Sequence, residues 1–86
     1  MDRLTTKNSS GQYILSAAGT EQAALQKLAA FENMYDALLA EQDRVLCKIE
    51  ALRAQNKTKS VTFQQLLAEK LQLATIISRF KLWEIN

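Results

Sequence analysis

The chain contains no histidine and no proline, one cysteine and two glycines in 86 residues. Without histidine it lacks the commonest general base near neutral pH and the commonest neutral metal ligand. One cysteine closes no internal disulfide, and with no histidine to join it no ordinary structural zinc site can be built. The isolated glycines Gly11 and Gly19 form no phosphate-cradling loop. No apolar run approaches the ~18 residues of a membrane-spanning helix. The N-terminus has no apolar signal-peptide core, so a cytoplasmic protein is expected, in keeping with the single thiol. A net charge of +2 does not mark a nucleic-acid binder. These absences lead to an expectation of no enzyme, no cofactor and no metal.

What is present is helical patterning. Thr20 to Asn56 has no proline and no internal glycine, and its apolar residues step by alternating threes and fours. Leu28, Phe31, Tyr35, Leu38, Val45, Ile49 and Leu52, with the polar Gln42, make a heptad seam of about four repeats. Leu25, Leu39 and Leu46 broaden the stripe, which favours packing in a bundle over a two-stranded coil. Thr20 reads as the N-cap, Glu21 complements the helix dipole, and Asn56 suits the left-handed position that ends a helix.

Residues 1–16 read as a β-hairpin, with strands Arg3–Lys7 and Gln12–Ser16 around the turn formers Asn8, Ser9, Ser10 and Gly11. A lone hairpin is marginal in water, so it is expected to lie on something. Ala17, Ala18 and Gly19 link it to the long helix. After a short basic connection at 57–61, Thr62 and Gln65 have capping-box spacing, with Val61 and Leu66 placed as a hydrophobic staple. They open a second helix over 62–83 with a stripe of Phe63, Leu66, Leu67, Leu71, Leu73, Ala74, Ile77 and Phe80. Ile76, Leu82 and Trp83 fall partly off that stripe, and Lys70 sits at its edge. The predicted fold is mainly α: a single domain, 1–86, in which a long antiparallel helical hairpin carries a short N-terminal β-hairpin and completes a helical bundle as a dimer.

Length and charge lead to the dimer. At ~1.5 Å per residue the helices span roughly 55 Å and 33 Å. Folded back from the 57–61 loop, the second helix brings Trp83 to about the level of Tyr35. Leu25, Leu28 and Phe31 are then left for the hairpin or for a second copy to cover. The long helix carries Glu21, Glu32, Asp36, Glu41 and Asp43 against Lys27 in its first part. From there to residue 59 it carries Arg44, Lys48, Arg53, Lys57 and Lys59 against Glu50. Antiparallel copies would match these signs, and Gln42 near the middle could pair with itself and fix register. The residues expected at self-association are therefore Leu25, Leu28, Phe31, Gln42, Ile76 and Trp83.

Other groupings are weaker. Glu32 with Asp36 and Asp43 with Glu50 have helical spacing but read as a solvated face. Cys47 falls opposite the seam and reads as an unreactive surface thiol. Lys48, Arg53, Lys57 and Lys59 make the only plausible nucleic-acid patch, and it lacks interleaved aromatics, so nucleic-acid contact through 53–59 is the alternative to the leading expectation. That leading expectation is protein–protein interaction, with Tyr13, Phe80, Trp83 and Ile85 as partner-binding candidates and no membrane contact.

Three segments also resemble other sequences. Arg3-Leu4-Thr5, the helix segment Gln26-Lys-Leu-Ala-Ala-Phe-Glu-Asn33 and the run Lys57-Thr-Lys-Ser-Val-Thr-Phe-Gln-Gln-Leu-Leu-Ala-Glu-Lys-Leu71 resemble small uncharacterised accessory proteins of phages and prophages of Gram-positive bacteria. Those open on an R-L-T strand and continue into a K-L-A-x-Y-E-[DN] helix; Phe31 stands here where the pattern has tyrosine. The tail Phe80-Lys-Leu-Trp-Glu-Ile85 is similar to their aromatic-rich ends. The resemblance covers most of the chain and implies a phage origin, a small helical protein and a host or phage protein as partner. Proteins of this kind include inhibitors of host defence that block a protein surface. It carries over no catalytic residue.

Overall fold

A computed structural model describes residues 2–17 and 19–84. The protein is mainly helical, with two short strands, β1 (Thr5–Lys7) and β2 (Tyr13–Leu15), followed by the helices α1 (Glu21–Ala54) and α2 (Val61–Leu82). The chain divides into two compact units, Met1–Asn33 and Met34–Asn86.

In the first unit β1 and β2 pair antiparallel, Thr5 with Leu15, Thr6 with Ile14 and Lys7 with Tyr13. The strands are shorter than the sequence suggests because the connecting segment makes its own bonds. Asn8 Oδ1 accepts from the N–H groups of Ser10 (2.9 Å) and Gln12 (3.0 Å), and Gly11 supplies a φ of +80°. Beyond the ladder, Ser16 N–H donates to the Leu4 carbonyl at 2.7 Å and its hydroxyl to the Arg3 carbonyl at 3.0 Å. Gly19 lies under that junction, where a Cβ would come within 2.7 Å of the Leu4 carbonyl oxygen. All six strand residues are exposed. The segment leading into β1 reaches α1: Lys27 donates through Nζ to the Asp2 carbonyl at 2.6 Å. Thr20 caps α1 as expected, its Oγ1 accepting from Ala23 N–H at 3.1 Å.

In the second unit the later turns of α1 pack against α2. Val45 and Ile49 interlock with Phe63, Leu66 and Leu73, flanked by the half-buried Leu38, Leu52 and Leu67. Ile77 and Phe80 are also buried, and the Phe80 ring lies 5.2 Å from that of Tyr35. The aromatic contact falls close to the level that the folded-back length predicts. The turn between the helices closes with Asn56 at φ 56°, as its sequence position suggests. Lys57 N–H bonds to the Leu52 carbonyl at 2.9 Å and Asn56 N–H to the Arg53 carbonyl at 3.0 Å, which is a Schellman end.

The start of α2 differs from the sequence reading. Ser60, not Thr62, is the N-cap: its Oγ accepts from Phe63 N–H at 3.1 Å and donates to the Lys57 carbonyl at 2.9 Å. An earlier start adds helical residues and lets one hydroxyl fasten both the helix and the preceding turn. Thr62 and Gln65 are left exposed inside the helix, and Val61 projects into solvent instead of stapling.

Candidate interaction surface

No grouping of three histidine, cysteine or acidic residues able to hold a metal occurs among the described residues. None of their helices is long and apolar enough to cross a membrane. Each buried side-chain nitrogen or oxygen among them has a hydrogen-bond partner. The residues expected at self-association and partner binding fall in both units.

The first surface lies in Met1–Asn33. On α1, Leu25, Leu28 and Phe31 are 54%, 55% and 39% exposed. Spacings of three place them on adjoining turns of one side of the helix. Leu28 and Phe31, with Ala24 and Lys27, meet Arg3, Leu4 and Thr5 around a shallow cavity of about 330 Å³. Its floor is apolar and its two charged lining residues, Arg3 and Lys27, are both basic. Tyr13 stands exposed on β2 with Lys7 Nζ 5.4 Å from its ring centre.

The second unit holds the remaining candidates. Ile76 and Trp83 are exposed on one flank of α2, and Gln42 is half-buried on α1. Phe80 is not available: it is 8% exposed, so its place on the core stripe excludes it from partner binding. Ile85 lies outside the described residues. Of the basic group, Lys48, Lys57 and Lys59 are exposed. Arg53 is engaged locally, with Nη1 2.7 Å from Glu50 Oε1 and its guanidinium 5.9 Å from the centre of the Phe63 ring. Cys47 is exposed, as its heptad position predicts.

One surface escaped the sequence reading. Leu71, expected on the core stripe, is 69% exposed, and Ala74 is exposed too. At about 100° per residue Leu71 points roughly 140° away from Leu66, which a strict angular test would have detected. Val61 and Leu82 are as exposed as Leu71 and share its side of α2. A shallow depression beside them is lined by Leu71, Gln72, Thr75 and Ile76.

No protein family matches the chain, and neither does any curated protein or solved structure.

Proposed function

We propose that the chain is a non-enzymatic helical protein of phage type that acts in the host cytoplasm by self-association and by binding a host or phage protein, with inhibition of a host defence component as its role. The observation that carries this reading is the amount of large apolar side chain in contact with solvent. Leu25, Leu28 and Phe31 in the first unit, and Leu71, Leu82 and Trp83 in the second, are exposed together on a chain with seven buried apolar residues among those described. Contiguous exposed apolar surface marks sites of association. The resemblance of Arg3–Thr5, Gln26–Asn33 and Lys57–Leu71 to phage accessory proteins supports the cellular setting. Equilibrium association of the purified chain tests the self-association directly, and a strict monomer at high micromolar concentration refutes it.

The alternative is a nucleic-acid-binding accessory factor that uses residues 53–59. Exposed Lys48, Lys57 and Lys59 favour it, while the ion pair of Arg53 with Glu50 weighs against it. Retention on DNA or RNA at low salt separates the two readings, because phosphate contacts lose affinity steeply as salt rises. The protein–protein reading predicts no retention at low salt. Retention that falls when Lys57 and Lys59 are neutralised would establish the alternative.

A further inference from the structure

The side of α2 turned away from the core carries a second heptad stripe. Val61, Gln64, Ala68, Leu71, Thr75, Ser78 and Leu82 follow at alternating intervals of three and four, and all are exposed. None is charged. The positions flanking them from 65 to 74, Gln65, Leu67, Gln72 and Ala74, are uncharged as well. The two hydroxyls are already bonded to their own helix: Thr75 Oγ1 donates to the Leu71 carbonyl at 3.0 Å and Ser78 Oγ to the Thr75 carbonyl at 2.8 Å. Covering these two hydroxyls therefore leaves neither of them without a partner, so their burial avoids the usual cost of an unpaired hydroxyl.

We infer that this stripe is the seat of a second copy of the chain, whose own α2 lies antiparallel against it. The inference rests on the self-association proposed above and specifies its interface. Area favours a copy-sized occupant. The chain exposes 6848 Å², whereas a folded monomer of 9.7 kDa is expected to expose about 5,100 Å². The excess, about 1,700 Å², exceeds the ~800 Å² that one partner contributes to a standard interface, so the chain has surface enough for a second copy.

Charge selects the arrangement. Parallel helices would set Arg79 and Lys81 beside their own counterparts. Two antiparallel alignments interlock the stripe. One places Ala68 opposite Leu71, and it brings Lys59 level with Phe80 of the second copy, between Arg79 and Lys81. The other places Leu71 opposite Thr75, Ala68 opposite Ser78 and Gln64 opposite Leu82. Lys59, just before the N-cap Ser60, then falls past Lys81 of the second copy and nearer its Glu84, just after the C-cap Trp83, so the like charges are drawn apart and opposite charges brought closer. Small side chains at Ala68, Thr75 and Ser78 permit close approach, and Leu71 supplies the bulk between them.

Cysteine cross-linking tests this in the full chain. Exposed Cys47 is first replaced, Cys47→Ser, and Gln64→Cys and Leu82→Cys are made separately on that background. Both sites are on the surface, and circular dichroism confirms that each variant keeps its helices. Under mild oxidation the mixture of the two variants should yield disulfide-linked dimer at least about ten-fold above either variant alone, since docking holds the thiols at near-millimolar effective concentration. Cross-linking of each variant by itself indicates parallel helices and overturns the inference. No cross-linking in a sample that sediments as a dimer rules out the seat with Gln64 opposite Leu82, which overturns the interface inferred here but not self-association. No cross-linking in a sample that sediments as a monomer overturns both.

Discussion

The hydroxyl of Ser60 accepts from Phe63 N–H and donates to the Lys57 carbonyl, so one small side chain both starts α2 and closes the turn before it. Replacing Ser60 with alanine should lower stability by about 1 kcal/mol, whereas Thr62→Ala should stay within ~0.5 kcal/mol. Urea unfolding of the two variants measures both, and the reverse order would restore Thr62 as the cap. The sequence alone could not decide between them. Ser60 and Thr62 are both good caps, and the choice rests on the Lys57 carbonyl, whose position depends on the left-handed Asn56 before it. Phe80 offers a second contrast. It is buried against Tyr35, while Trp83 is exposed at the end of the helix. Phe80→Ala should cost about 3–5 kcal/mol and Trp83→Ala no more than ~0.5 kcal/mol. Thermal unfolding checks this, and equal losses would contradict the burial assigned to Phe80. Both aromatics belong to one tail in the sequence; only Phe80 falls on the side that faces the core.

At the scale of elements, the two helices were legible because each repeats one signal many times. The heptad seam of α1 continues from Leu28 to Leu52, and Thr20 and Asn56 bound it as cap and terminator. The β-hairpin was legible from its turn, where Asn8 and Gly11 act through their own backbone preferences. What it rests on was not, because the bond from Lys27 to the Asp2 carbonyl joins residues 25 apart and no local pattern encodes it. Gly19→Ala forces a Cβ to 2.7 Å from the Leu4 carbonyl oxygen. The junction should open, and the Ser16 amide, bonded to Leu4, should lose its protection from hydrogen exchange while the amides of α2 keep theirs. An unchanged Ser16 rate would show that the close approach is dispensable. The outer stripe of α2 is hidden in the sequence for a different reason: Leu71 follows Leu67 by four residues and so continues the core spacing, although it points roughly 140° away from Leu66.

For the whole molecule, the balance between core and surface decides the account. Seven apolar residues are buried among those described, and twelve large apolar side chains are exposed. Small chains with cores of this size commonly gain stability by association. Helical content was readable from composition and period. How the exposed apolar surface is shared between a second copy and another protein was not, because every stripe of suitable spacing looks alike until burial shows which one the chain itself uses. Sedimentation equilibrium on the unmodified protein over a range of micromolar concentrations is the direct test of self-association. Self-association predicts a species of twice 9.7 kDa that dissociates on dilution; a single species of 9.7 kDa up to high micromolar concentration would contradict it.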